Sequence, residues 1–200
     1  MPTPQTTLDK AYFDRVYQAN NDPWSFATSD YERQKYEATI AALPNPQYEY
    51  AFEIGCSIGV LTQMLAERCG RLLAVDASEL PLRTARERLA MYPNVTIRQM
   101  KIPDEFPDTS FDLILLSEVG YYLSMPDLTR ARQLLIDHLR PNGHLLLVHW
   151  TPFVHDYPLT GDQVHDFFLE SAQPNGPLMH LTNQRESTYR LDLFQKVEKP

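Results

Sequence analysis

A short glycine-containing loop and an acid further along the chain are the residues whose types and spacing predict chemistry most directly. The loop follows an apolar run and contains Gly55 and Gly59, where the backbone can turn tightly and approach a ligand closely. Glu53 precedes the loop and can reach a ligand cation. Asp76 ends the next apolar run, where a carboxylate can accept both hydroxyls of a ribose. The arrangement predicts a nucleoside-containing ligand.

The loop sequence EIGCSIG (Glu53 to Gly59) indicates which nucleoside fits. A dinucleotide fingerprint needs G-x-G-x-x-G, so that a pyrophosphate can lie on the helix N-terminus. Here Ser57 replaces the middle glycine, and no third glycine follows at the required position. Glu53 would also repel a diphosphate, which disfavours an NAD-dependent oxidoreductase. The acid suits an amino acid with an ammonium group joined to a nucleoside without phosphate, and S-adenosylmethionine (SAM) is such a ligand.

Two later apolar runs predict an acceptor site. FDLILLS ends at Ser117 and is followed by Glu118 and Tyr121, and HLLLVHW contains His149 near its end. Displacement at a sulfonium depends largely on positioning, but a nitrogen nucleophile must also lose a proton. We therefore expect Glu118, His149 and Tyr121 to be the catalytic residues. Tyr121 and Tyr122 are neighbours, so we expect that they cannot both face the core.

Structural interpretations of the same residues stay open. His149 is also typical of a hydrogen-bonded core residue, and Glu118 of a cap for the following helix. Cys56 is interpreted as a small packing residue and not as a nucleophile. His155 and His165 flank the segment DYPLTGD and are interpreted as substrate-loop residues.

The elements that must hold these residues follow from the alternation of short apolar runs with amphipathic stretches. Four runs are almost continuously apolar, as in strands buried on both faces of a parallel sheet. We therefore predict an α/β fold, a single-domain, doubly wound, Rossmann-like and mostly parallel sheet. Its predicted strands are residues 50–55, 71–76, 95–100, 111–117 and 144–150.

The two ends of the chain depart from this alternation. Residues 1–44 are polar and rich in aromatic residues, and we expect an N-terminal helical lid of the same domain, with a helix capped by Ser29. Residues 45–200 form the predicted cofactor-binding domain. Residues 160–172 predict a helix with Asp162 as its cap, and a final strand pair would add one antiparallel strand to the sheet.

Composition and charge limit the class of protein. The chain has 200 residues, enough for one domain, and a net charge of −8 disfavours a nucleic-acid partner. We expect no membrane span, no signal peptide and, with two cysteines, a reducing, cytoplasmic location. The scattered histidines predict no metal. The oligomeric state stays open.

The same segments resemble a known family. EIGCSIG resembles the E-x-G-x-G-x-G motif of class I SAM-dependent methyltransferases, and VDAS their ribose-binding strand end. FPDTSFDLILLSEVGYYL and LRPNGHLLLVHW are similar to their fourth- and fifth-strand regions. DPWSFATSDYERQKY and DYPLTGD resemble the NodS-like branch, relatives of nodulation N-methyltransferases that modify an amino sugar of a chitooligosaccharide. The resemblance implies methylation of an amine of a small molecule or amino sugar.

The resemblance also extends the set of residues expected to bind SAM. Lys101 stands where many relatives carry the acid that holds adenine, so we expect backbone groups near Lys101 and Ile102 to hold it. Trp24 is expected in an aromatic lid, and Lys35 beside the SAM carboxylate. The full predicted set is Trp24, Lys35, Glu53, Gly55, Cys56, Gly59, Asp76, Ala77, Met100, Lys101, Ile102 and Ser117.

Two other functions remain open from the sequence. One is an O-methyltransferase with His149 as base for a hydroxyl acceptor. The other is a SAM-binding protein without catalysis, for which Ser57 and Lys101 leave room.

Overall fold

The computed structural model describes residues 6–198, so the first five residues of the predicted lid and the last two of the predicted domain lie outside the described part. The described chain divides into two compact units, residues 9–101 and residues 6–8 with 102–198.

The unit of residues 9–101 contains four helices and three parallel strands. Strand β1 pairs in parallel with β2, and β2 pairs in parallel with β3, which gives the order β3–β2–β1. The strands are buried where they are most apolar: Phe52, Ala74 and Val75 have no exposed surface. The helices are α1 (Lys10–Ala19), α2 (Asp30–Ala41), α3 (Val60–Ala66) and α4 (Glu79–Arg88), and the strands β1 (Tyr48–Ile54), β2 (Cys69–Asp76) and β3 (Val95–Gln99).

Side-chain caps fix where three of these helices begin. Ser29 accepts a hydrogen bond from the backbone of Glu32 at the start of α2, as predicted. Asp9 and Ser78 cap α1 and α4 in the same way. Helix α1 was not resolved by the sequence pattern as a separate helix within residues 1–44.

The other unit carries the remaining strands. β4 pairs in parallel with β5, whereas β7 is antiparallel to both β5 and β6, in the order β4–β5–β7–β6. The prediction of a C-terminal antiparallel strand is confirmed. The strands are β4 (Phe111–Ser117), β5 (Leu139–Trp150), β6 (Leu178–Arg185) and β7 (Tyr189–Lys196), and the helices α5 (Met125–His138) and α6 (Gly161–Leu169).

The predicted cap of the last helix is wrong. Thr160 caps α6, and a capping box with Gln163 satisfies two backbone N–H groups reciprocally. Asp162 lies inside the first turn, where its carboxylate accepts two hydrogen bonds from Arg185 at 2.6 and 2.8 Å. The threonine two residues earlier provides the hydroxyl that the helix start requires.

Among residues 6–198, no helix is long and apolar enough to cross a membrane. The same residues contain no group of three or more histidine, cysteine, aspartate or glutamate side chains that could hold a metal ion.

Candidate functional site

The glycine loop connects β1 to α3 through three left-handed residues. Gly55, Ser57 and Gly59 have φ angles of 83°, 48° and 79°. The backbone N–H groups of Gly55 and Cys56 both donate to the carbonyl of Val75, at 2.8 and 2.9 Å, which ties the loop to β2. Ser57 therefore adopts a conformation that a glycine takes most easily.

Asp76 ends β2 beside this loop. Its carboxylate accepts hydrogen bonds from the backbone N–H of Ser57 (3.1 Å) and of Ser78 (2.9 Å). A carboxylate has about four acceptor positions, so capacity remains for two ligand hydroxyls. Burial raises the pKa of Asp76 to about 6, although these backbone donors lower it in part. The position fits a ribose, as the spacing in the sequence predicts.

Glu53 lies near the end of β1 with 2% of its surface exposed. Within the described residues its Oε2 has no hydrogen-bond partner. Burial raises the pKa of Glu53 to about 7, the nearby Thr62 hydroxyl lowers it, and the charge of Asp76 raises it further. A buried carboxylate oxygen without a donor is costly unless a ligand supplies one. An ammonium group would supply one, so the residues fit SAM.

Helix α1 contacts this loop region through two side chains that the sequence analysis missed. The Tyr17 hydroxyl lies 2.7 Å from the Ser57 hydroxyl, and the Ser78 hydroxyl donates to Asp14 at 2.7 Å. Tyr17 also packs edge-on against Trp24, with ring centroids 5.7 Å apart. The sequence pattern of α1 does not indicate the two hydrogen bonds, because each of them joins residues at least 40 positions apart.

Two predicted cofactor residues of this unit have structural partners of their own. Lys35 is 2% exposed and forms an ion pair with Glu32 at 2.9 Å. Cys56 packs with Ala74 and Leu82, and burial raises the pKa of its thiol well above the usual range, which fits the packing interpretation. A contact of either residue with SAM stays a prediction.

The other predicted cofactor-binding residues in the unit of residues 9–101 lie near the same strand ends. Gly59 is the N-cap of α3, and a Cβ atom there would lie 3.1–3.3 Å from Ala85 and Leu89. The N–H of Met100 donates to the carbonyl of Asp76 at 2.9 Å, which ties the segment after β3 to β2. Ala77 and Lys101 are partly exposed. Their contacts with adenine stay predictions.

In the other unit, Glu118 follows β4 with a left-handed φ of 56°. One carboxylate oxygen accepts hydrogen bonds from the backbone N–H of Trp150 (2.9 Å) and from the Tyr121 hydroxyl. The first of these contacts ties Glu118 to the end of β5. Ser117, the last residue of β4, is 8% exposed, and Ile102 is 7% exposed.

The expectation that Tyr121 and Tyr122 cannot both be buried is wrong. They lie in a 3₁₀ turn, Gly120–Tyr122, and are 4% and 7% exposed. Tyr157 covers both rings, stacked on Tyr121 at 5.0 Å and edge-on to Tyr122 at 4.8 Å. Burial raises the pKa of both tyrosines well above the usual range, so each is a neutral hydroxyl.

His149 is fully buried near the end of β5. Its Nε2 accepts a hydrogen bond from the N–H of Gly120 at 3.0 Å, and its Nδ1 lies 3.0 Å from Nε2 of His165. The interpretation of His165 as a substrate-loop residue is wrong, because it lies on α6 with no exposed surface. The role of His149 as general base stays a prediction, although its Nε2 lone pair faces Gly120.

Comparison with known proteins identifies similar structures. A crystal structure of a Pseudomonas syringae protein assigned as a methyltransferase is 37% identical, covers 83% of this chain and 99% of its own, and has a TM-score of 0.72. The N-methyltransferase NodS from Bradyrhizobium japonicum WM9, in complex with S-adenosyl-L-homocysteine (SAH), is 24% identical, covers 94% of this chain and 98% of its own, and has a TM-score of 0.83.

The fold is therefore that of the class I SAM-dependent methyltransferases, as predicted. The nodulation protein S (NodS) family model matches residues 9–150, and the chain belongs to the NodS family. Nodulation protein S of Bradyrhizobium diazoefficiens is 31% identical over 130 residues, 64% of this chain. The chain spans 62% of the length of that relative, and 55% and 60% of two further nodulation proteins S. The predicted NodS-like branch is confirmed.

Proposed function

We propose that the protein transfers the methyl group of SAM to an amine nitrogen of a small molecule. The observation that carries the proposal is the pair of acids at the ends of β1 and β2. Glu53 has a buried oxygen without a donor, and Asp76 is held by two backbone N–H groups beside the glycine loop. Membership in the NodS family supports the choice of nitrogen over oxygen.

Asp76 binds the ribose hydroxyls in this proposal, and Glu53 binds the ammonium group of the amino acid part. Gly55 and Gly59 let the loop approach the ligand. Bound SAM supplies an electrophilic methyl group on a sulfonium. Ala77, Met100 and Lys101 hold adenine, Cys56 lines the loop side, Lys35 faces the carboxylate and Trp24 belongs to the lid.

Glu118 is the residue that selects an amine. Trp150 and Tyr121 donate hydrogen bonds to its carboxylate, so the orientation of the carboxylate is fixed without any ligand. An ammonium group binds such a carboxylate, transfers a proton to it and then attacks as the free base. The amine lone pair forms the new N–C bond while the C–S bond breaks, and its electron pair remains on sulfur. We propose an amine, with an amino sugar as one class of acceptor.

A labelling experiment tests this function. SAM with a ¹³C methyl group is incubated with the protein and a panel of simple amines, amino sugars and hydroxylated small molecules. NMR distinguishes an N-methyl from an O-methyl product by chemical shift. We expect N-methyl products from the amines, and a product methylated on oxygen contradicts the proposal.

Glu118→Gln provides the variant for the same assay, because it keeps the shape and removes the charge. Glu186→Gln is the matched control, since Glu186 is exposed in the turn between β6 and β7. We expect the first variant to lose turnover and the control to keep it.

A further inference from the structure

A line of hydrogen bonds connects the turn that carries Tyr121 to a buried carboxylate on β7. The Gly120 N–H donates to His149 Nε2 at 3.0 Å, and His149 Nδ1 lies 3.0 Å from His165 Nε2. His165 Nδ1 then contacts Oδ2 of Asp192 at 2.5 Å. His149, His165 and Asp192 all have 0% exposed surface. The line therefore passes from the segment after β4 through β5 and α6 to β7.

The two ends of the line determine the direction of every hydrogen bond in it. A backbone N–H can only donate, so Nε2 of His149 carries no proton and the ring holds its proton on Nδ1. That N–H donates to Nε2 of His165, which must then hold its own proton on Nδ1, facing Asp192. Both imidazoles are neutral and share one tautomer, and a second proton on His149 would break the bond to Gly120.

Asp192 is itself held in place by donors from two strands. Its carboxylate accepts from His180 (2.6 Å) and Asn183 (2.8 Å) on β6 and from the Arg190 Nε (2.7 Å) on β7. Burial alone would raise the pKa of Asp192, but the hydrogen bonds from His165 and Asn183 and the charge of Arg190 lower it to about 2. The acceptor at the end of the line is therefore a fixed anion.

The turn at the other end fits closely against this line. A Cβ atom at Gly120 would lie 2.6 Å from Cγ1 of Val164 and 2.9 Å from Nε2 of His149. The imidazole of His149 therefore accepts the hydrogen bond of Gly120 and, together with Val164, limits the space there. Tyr121 follows directly and donates to Glu118, so the position of that hydroxyl depends on where Gly120 is held.

We propose that His165 and Asp192 are positioning residues for methyl transfer, which hold His149 in the Nδ1–H tautomer and thereby place Tyr121 against Glu118. The inference rests on the proposed function of Glu118 at the acceptor. His149 acts in it through Gly120 as a positioning residue, and not as the general base predicted from the sequence. A satisfied buried network of this kind rigidifies the groups it connects.

NMR of the imidazole nitrogens tests the tautomers in the full chain without an acceptor. The protein contains six histidines, and the signals of His149 and His165 are assigned from single variants. We expect both rings in the Nδ1–H form, with and without SAH. An Nε2–H form of His149, or a doubly protonated ring, overturns the proposal whatever the enzyme methylates.

Kinetics with an amine identified in the labelling panel test the effect on catalysis. His165→Leu keeps the volume but removes both hydrogen bonds, whereas His165→Gln retains one acceptor and one donor. We expect His165→Leu to lower kcat by roughly 10- to 100-fold through misplacement of Tyr121, with KM for SAM changed less than about twofold. His165→Gln should recover most of that loss.

His144→Leu is the matched control. Like His165, His144 is a buried histidine, but it lies on β5 and takes no part in the line of hydrogen bonds from Gly120 to Asp192. If His165→Leu and the control lower kcat equally, or if His165→Gln recovers nothing, the residues act only through stability and the inference is wrong. A panel without any accepted amine would contradict the proposed function, while the NMR result would still decide the tautomers.

Discussion

The hydroxyl of Tyr17 lies 2.7 Å from the hydroxyl of Ser57, and both residues are buried. This contact joins α1 to the left-handed residue of the glycine loop. Burial raises the pKa of Tyr17 well above its usual range, so the contact is a hydrogen bond between two neutral groups. Ser57 thereby gains a partner that a glycine at this position could not have.

Tyr17→Phe should weaken both folding and cofactor binding. The change removes one buried hydrogen bond and leaves the Ser57 hydroxyl without that partner, which costs about 1–3 kcal/mol. We expect a lower unfolding midpoint and an SAH affinity reduced several-fold, measured by denaturant titration and calorimetry. Tyr50→Phe is the control, since Tyr50 is a partly exposed tyrosine on β1. Equal SAH affinity of the wild type and Tyr17→Phe would show that α1 does not support the loop.

Asp76→Ala should reduce SAM affinity with the fold retained. Lost charge-assisted hydrogen bonds of about 1.5–3 kcal/mol correspond to a roughly tenfold to hundredfold weaker Kd. Asp108→Ala, at an exposed position, serves as the control. Gly55→Val should be more severe, because its φ of 83° disfavours a branched side chain and that side chain would intrude on the ligand. Unchanged calorimetric affinity in a folded Asp76→Ala protein would remove Asp76 from the site.

The stability that protonated Glu53 and Asp76 contribute to the ligand-free protein should be lost as pH rises from about 4 to 7. The folded pKa values of Glu53 and Asp76, about 7 and about 6, lie above their ordinary values of 4.5 and 3.8. At these two acids the folded state therefore binds more protons than the unfolded state in this window, and their contribution to stability is lost as they ionise. Thermal melts across the window check this, and Glu53→Gln should flatten the slope. A Glu53→Gln protein whose melting temperature changes with pH in the same way as that of the wild type contradicts it.

SAH affinity should follow the opposite trend. The ammonium group of the ligand requires ionised Glu53, so binding should strengthen as pH rises through the pKa of about 7. Calorimetry at pH 6 and 8 measures the difference in SAH affinity. We expect the Glu53→Gln variant to show no such difference. Affinity that is the same at both pH values would exclude this role for Glu53.

Glu118→Gln should lower kcat within the roughly 10²- to 10⁴-fold range that acid–base groups contribute. Tyr121→Phe removes one of two donors to the same carboxylate oxygen, so its effect should be smaller. SAM affinity should hardly change in either variant. The turnover of an amine should also rise between about pH 6 and 8 as the free base accumulates. Full turnover of Glu118→Gln would show that the proton leaves directly to water.

The elements of the fold were predictable because local patterns determine them. The apolar runs around Phe52 and Leu115 define strands, and Ser29 defines a helix start. The positions of Glu53 and Asp76 at the ends of neighbouring strands were predictable from the spacing of one strand–loop–strand unit, while their contacts with the cofactor stay predictions. These assignments need no information about distant parts of the chain.

Long-range contacts were not predictable in the same way. Tyr17 finds Ser57 across 40 positions, and His165 finds Asp192 across 27. Tyr122 was misjudged because neighbouring side chains in a 3₁₀ turn can both be covered by a third residue, here Tyr157. The sequence shows the residue types, but only the packing shows which of them meet.

The close fit of Gly120 against Val164 and His149 constrains the order in which substitutions at these positions can accumulate. Any side chain at position 120 meets Val164 first, at 2.6 Å, so Gly120→Ala alone should be rejected in a library selected for folding. After Val164→Ala the nearer obstacle is gone, and the same alanine still meets the imidazole of His149 at 2.9 Å. The two positions should therefore show strong epistasis, with the smaller residue on α6 required before the larger one in the turn.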